Sequence, residues 1–152
     1  ESVIRGTFLS MDKYLPKFKT GNEGVIINTA SVLGINTIEN LPTYCAAKHG
    51  VVGLGRSLAT ENTYRKHKIR IITICPGVIA TPLINTTIAV KDVVHSKEEI
   101  FNISKKTSSP DYVANSVVNI INEGKHGSIW VLENEESPYE VTFPDRAELR
   151  KL

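Results

Sequence analysis

The chain has 152 residues, 22% of them charged and 41% hydrophobic, and a formal net charge of +2. A chain of that size can bury a core without disulfide or metal staples, and so small a charge gives no argument for nucleic acid or an anionic membrane as partner. Cys45 and Cys75 stand in apolar contexts without metal-ligand spacing, which reads as free thiols in a reducing compartment, the cytoplasm. No apolar run approaches the ~20 residues of a membrane-spanning helix.

Val3, Ile4, Thr7, Phe8, Met11 and Leu15 recur at three- and four-residue intervals, predicting an opening helix that Pro16 ends. Gly24-Val-Ile-Ile-Asn is a short β-branched run, the pattern of a strand buried on both faces. From Pro42 the pattern is helical as far as Tyr64: Thr43 can cap, and Tyr44, Ala47, Val51, Leu54 and Leu58 share a stripe. Gly50, Gly53 and Gly55 would each weaken that helix by roughly 1 kcal/mol, so another backbone is expected to approach closely there.

Ile69 to Cys75 predicts a second strand, stopped by Pro76-Gly77. Thr81 to Thr107 has weak periodicity and reads as a mobile segment. Ser109-Pro110-Asp111 opens a helix whose buried stripe is Val113, Val117, Ile120 and Ile121 and which Gly124 ends. Ser128 to Leu132 predicts a third strand, and the charged tail from Glu133 reads as surface structure. Strands alternating with helices imply an α/β fold, a parallel sheet with helices on both faces. Three strands are few for such a sheet.

Within the second helix Tyr44 and Lys48 lie one turn apart on one face. A phenol with pKa near 10 is a poor base at neutral pH, a nearby ammonium lowers that value, and a tyrosine so placed can exchange a proton with an alcohol or carbonyl. A Tyr-x-x-x-Lys spacing alone arises by chance in roughly one chain in four of this length, and a serine at the position of Ser31, thirteen residues earlier, reduces that to about one in fifty. Ser31 follows the first strand and Pro76-Gly77-Val78-Ile79-Ala80-Thr81 follows the second. In a parallel sheet both fall on the carboxyl edge, where ligands bind. Taken singly, Ser31 and Pro76-Gly77 would be ordinary turn residues.

"GVIINTAS", "YCAAKHGVVGLGRSLA" and "IRIITICPGVIATPL", in that order and spacing, resemble the second half of the short-chain dehydrogenases/reductases. The resemblance runs from Ser2 to about Leu132 and is strongest to the branch of NAD-dependent 15-hydroxyprostaglandin dehydrogenases and zinc-free alcohol dehydrogenases. It implies a Rossmann-type doubly wound sheet, with the three strands here being strands five to seven of the family. By position it makes Ser31 the residue that holds and polarises the substrate oxygen, Tyr44 the general base for alcohol oxidation, and Lys48 the residue that activates Tyr44 and binds the nicotinamide ribose. It also assigns Pro76, Gly77, Ile79 and Thr81 to the nicotinamide end of NAD, and Leu41, Val78 and the segment from Thr81 to Thr107 to the substrate wall. No metal is implied. Leu41 replaces a polar, substrate-contacting glutamine of the prostaglandin enzymes, which argues against prostaglandin itself and for a hydrophobic or lipid-like alcohol.

The chain also departs from the family: it has no Gly-x-x-x-Gly-x-Gly turn and no Asn-Asn-Ala-Gly motif. The expectation is therefore the carboxyl-terminal part of a single Rossmann-type domain of roughly 250 residues, lacking the amino-terminal dinucleotide-binding half that would distinguish NAD from NADP. Such a part should leave the first strand with an unpaired edge. Two functions follow from the resemblance. One is an NAD-dependent oxidoreductase acting on a secondary alcohol. The other is a chain without cofactor binding that acts through association, since in the family the helices at 2–15 and 44–64 build a homodimer interface.

Overall fold

The computed structural model describes residues 1–39, 41–82 and 107–150. Apolar β-branched runs form β1 (Gly24–Thr29), β2 (Ile69–Pro76) and β5 (Ile129–Leu132), which pair in parallel in the order β1-β2-β5. Two features exceed the expected three strands. The tail returns as β6 (Tyr139–Glu140), antiparallel to β5, and β3 (Val78–Ile79) pairs with β4 (Thr107–Ser108) in a separate two-stranded sheet. Val141 and Phe143, in the tail read as surface structure, are partly buried against the core, and the Arg56 guanidinium lies 4.3 Å from the centre of the Phe143 ring.

Alternation along β2 divides the core into two faces. Ile69, Ile71 and Cys75 pack on the side of α1 (Ser2–Leu9) and α3 (Pro42–Leu58), whereas Ile72 and Ile74 pack against α5 (Pro110–Glu123). All of these side chains are buried. On β1, the end strand, Val25, Ile26 and Ile27 are only half-buried, and among the described residues its outer edge has no partner strand.

Pro16 does not end the first helix. Ser10–Tyr14 forms a π-helical turn and the chain continues as α2 (Leu15–Phe18), so the wider turn accommodates a proline that neither donates a hydrogen bond nor fits regular α geometry. Thr7 and Met11 of the predicted stripe are buried, but Ile4 and Phe8 are each 44% exposed, because the sheet covers less of the helix than its apolar pattern spans.

The second helix is likewise two, α3 and α4 (Glu61–His67), divided where Thr60 accepts a hydrogen bond from the Thr63 N–H. Leu41, not Thr43, is the N-cap residue of α3, with Pro42 in the first turn. The buried face of α3 is Cys45, Val51, Val52 and Gly55; of the expected stripe Val51 lies on it, Leu54 and Leu58 are half-buried, and Tyr44 and Ala47 are exposed. Small residues lie toward the sheet: a Cβ at Gly55 would sit 2.2 Å from Thr73 Oγ1, while Gly50 and Gly53 face open space. The start of α5 is as expected, with Ser109 Oγ accepting the Tyr112 N–H at 3.2 Å, but Ile121 of its stripe is 37% exposed. No helix among the described residues is long and apolar enough to cross a membrane.

Candidate active site

The strand registers align the ends of β1, β2 and β5 along one edge. Beyond β1 the Ala30 N–H still bonds the Ile74 carbonyl (2.8 Å), so the chain follows β2 up to Ser31 before it turns. Ser31 is extended, 7% exposed, and caps a 3-10 turn (Val32–Gly34), its Oγ accepting the Leu33 N–H at 3.2 Å. That turn lies directly on α3: a Cβ at Gly34 would come within 2.8 Å of the Lys48 carbonyl oxygen. Only a residue without a side chain allows the serine turn to approach the lysine turn so closely.

From the other side, Lys48 reaches back to the strand, its Nζ donating to the Thr29 carbonyl at 3.2 Å. The same ammonium lies 5.5 Å from the centre of the Tyr44 ring, and Tyr44 is 42% exposed. Burial lowers the pKa of Lys48 below the ordinary lysine value, with Cys75 acting in the opposite direction. The sequence-predicted Ser31, Tyr44 and Lys48 are thus gathered at the end of β1 by one helix and one turn. Tyr44 is the outermost of the three, and Ser31 is largely enclosed.

Pro76 and Gly77 stand at the neighbouring strand end, where the Gly77 N–H bonds the Leu132 carbonyl (2.8 Å). Val78 and Ile79 then leave the main sheet for β3. The Ala80 N–H bonds the Ser108 carbonyl and the Thr81 N–H that of Ile79, so the Pro76–Thr81 segment is anchored by backbone bonds. Leu41 is half-buried, one turn ahead of Cys45, whose N–H bonds its carbonyl. The expected substrate wall from Thr81 to Thr107 lies, for residues 83–106, outside the described residues.

Two site residues carry no signal in the sequence. Gly34 is one more loop glycine until its contact with Lys48 is seen. Cys75, read as a plain thiol, is fully buried beside the serine turn, and burial pushes it up to about 11 against the opposing effects of the Ser31 backbone N–H and the Lys48 ammonium.

Comparison with known proteins adds the family. The short chain dehydrogenase profile matches residues 2–91. Mouse 15-hydroxyprostaglandin dehydrogenase [NAD(+)] is 33% identical over 131 residues, covering 80% of this chain and 47% of that protein. Alcohol dehydrogenase 1 of Ceratitis cosyra is 36% identical over 127 residues, covering 82% and 49%. The crystal structure of levodione reductase superposes with a TM-score of 0.65 at 32% identity, covering 88% of this chain and 54% of that one. The chain therefore spans about half the length of the curated relatives it matches.

Proposed function

The chain belongs to the short chain dehydrogenase family, and from that premise we propose that it carries the catalytic part of an NAD-dependent oxidoreductase that oxidises a secondary alcohol. The reading is carried by Lys48, whose ammonium joins the end of β1 to the α3 turn bearing Tyr44. In this reading Tyr44 takes the hydroxyl proton of the substrate. Lys48 supplies positive charge where negative charge develops on the phenol oxygen, and Ser31 Oγ donates to the substrate oxygen as it becomes a carbonyl. Among the described residues the Ser31 hydroxyl is bonded only as an acceptor, from the Leu33 N–H, and its hydrogen can serve for that donation.

The donor set fits the nicotinamide riboside end of a dinucleotide. Lys48 has ammonium hydrogens beyond the one given to Thr29, and the exposed Tyr44 phenol adds a second polar contact at the same edge. When bound, NAD supplies the hydride acceptor. Pro76, Gly77, Ile79 and Thr81 are assigned to its nicotinamide side. NAD is preferred to NADP on the strength of the prostaglandin relatives. For the substrate, Leu41 and Val78 favour a hydrophobic or lipid-like alcohol rather than prostaglandin itself. The 44%-exposed Ile4 and Phe8 and the open Gly50 and Gly53 support homodimer packing through α1 and α3.

A second reading, association without cofactor binding, rests on the apolar and open surface of α1 and α3. Thermal unfolding of the chain with any natural flanking sequence, with and without NAD, separates the two. Cofactor at a hundred times its dissociation constant is expected to add about 2.7 kcal/mol. No shift at saturating NAD or NADP would favour association alone.

A further inference from the structure

Val78 and Ile79 leave the main sheet after β2 and, among the described residues, pair only with β4, Val78 beside Thr107 and Ile79 beside Ser108. A ribbon of two residues per strand does not hold its place unaided. Its support is the turn after β5. There the Glu136 N–H bonds the Glu133 carbonyl at 3.1 Å, and between them Asn134 and Glu135 both take the left-handed backbone, with φ of 57° and 58°. Asparagine visits that region readily, whereas glutamate stays in it only where its surroundings hold it. Here the Glu135 N–H donates to Ser108 Oγ at 3.2 Å, and the Glu135 carboxylate accepts the Ser109 N–H at 2.9 Å. Ser108 is fully buried, and its carbonyl accepts the Ala80 N–H at 2.9 Å. The turn is thus two hydrogen bonds away from Ala80, the residue between Ile79 and Thr81. At the near end of the same segment the Gly77 N–H bonds the Leu132 carbonyl, and a Cβ at Gly77 would come within 2.8 Å of Glu133 Cβ. The Tyr139 hydroxyl donates to Glu133 Oε1 at 3.2 Å, and the Tyr112 hydroxyl, from α5, donates to the Glu136 carbonyl at 2.6 Å.

We propose that the 133–136 turn clamps residues 77–81, with Glu135 as a positioning residue that, through Ser108, fixes where Ile79 and Thr81 meet the nicotinamide side of NAD. The proposal rests on the catalytic reading above for its consequence in cofactor binding, but the clamp on the backbone stands apart from it. A glutamate suits position 135 for a chemical reason. Ser109 Oγ accepts the Tyr112 N–H, which is half of a capping box; the other half needs an acidic side chain at the third helical position, where α5 has Tyr112 instead. Glu135 supplies that half from another segment, and its negative charge lies at the positive end of the α5 dipole. The Ser109 bonds hold its carboxyl below the usual pKa, so it is ionised at neutral pH. Glycine would relax the left-handed turn but could make no such bond. Ease of the backbone therefore does not account for the glutamate.

Two variants of the protein, carrying any natural flanking sequence, separate positioning from turn strain. Glu135→Gly relaxes the backbone and removes the carboxylate, and Glu135→Gln keeps an oxygen acceptor. Three readouts are needed: the dissociation constant for NAD, KM for a secondary alcohol, and hydrogen exchange of the Ala80 amide followed by NMR. In Glu135→Gly the NAD dissociation constant is expected to rise about fivefold, the scale of one lost helix cap. Its thermal midpoint should stay close to that of the wild type, because relief of the left-handed backbone offsets the lost bond. KM for the alcohol should stay within about twofold, since Ser31 and Tyr44 stand at the end of β1, two strands from the turn. The Ala80 amide should exchange faster in Glu135→Gly and recover, together with NAD affinity, in Glu135→Gln. Unchanged NAD affinity and unchanged Ala80 exchange in Glu135→Gly would overturn the proposal, as would equal losses in the two variants. If the wild-type protein binds no NAD, the catalytic reading fails and Ala80 exchange alone decides whether the turn clamps the segment.

Discussion

Glu23, just ahead of β1, accepts hydrogen bonds from the Tyr64 hydroxyl and from Arg70 Nε, each at 2.6 Å, and Arg70 also donates to the Gly124 and Ile121 carbonyls at the end of α5. The Tyr64 hydrogen bond, followed by the Arg70 interactions, holds the Glu23 carboxyl below its usual pKa. A carboxylate so lowered stabilises the fold above its unfolded pKa, and the contribution fades as pH falls through the folded value. Glu23→Gln is therefore expected to lower unfolding free energy by about 1 kcal/mol at pH 7, a small value because solvent reaches the pair. Denaturant titrations of both proteins should converge once pH drops below the folded pKa of Glu23. A gap that persisted in acid would refute the electrostatic account. At this scale the sequence was informative where spacing along one segment decides geometry, as for Tyr44 and Lys48. Gly34 was not legible, since its role depends on the Lys48 carbonyl that another segment brings beside it.

The three parallel strands and the start of α5 could be read from the chain because their signals are local: β-branched runs, Pro76-Gly77, and Ser109-Pro110. The faces of α1 and α3 could be read only in part: Thr7, Met11 and Val51 are buried as expected, while Ile4, Phe8, Tyr44 and Ala47 are exposed. In α3 the residues nearest the sheet include Gly55, which hydrophobic periodicity does not count, so the apolar row through Tyr44 and Ala47 misled by part of a turn. The break at Thr60 and the π turn before Pro16 are likewise set by capping and by accommodation of a ring, not by periodicity. Close approach, rather than propensity, decides which glycines matter. Gly34→Ala forces a methyl against the Lys48 carbonyl and Val52 and is expected to cost about 1–3 kcal/mol. Gly53→Ala meets open space and should be neutral or stabilise by up to about 1 kcal/mol. Thermal unfolding of the two variants checks the contrast, and equal effects would contradict the packing described for the serine turn.

Across the whole molecule, the aligned strand ends bring to one edge residues separated by some fifty positions in the chain, Ser31 at one strand end and Thr81 beyond the next. The outer edge of β1 lacks a partner among the described residues, and α1 and α3 expose apolar and open surface, on which the proposed homodimer packing depends. The proposed function gives that architecture one chemical role, proton transfer by Tyr44 under the charge of Lys48. Its most direct test is NAD reduction by a secondary alcohol, measured for the protein with any natural flanking sequence and for Tyr44→Phe, with NAD binding followed in parallel. The account predicts reduced nicotinamide from the wild-type protein and none from the variant, which should still bind NAD; turnover retained by Tyr44→Phe would contradict it.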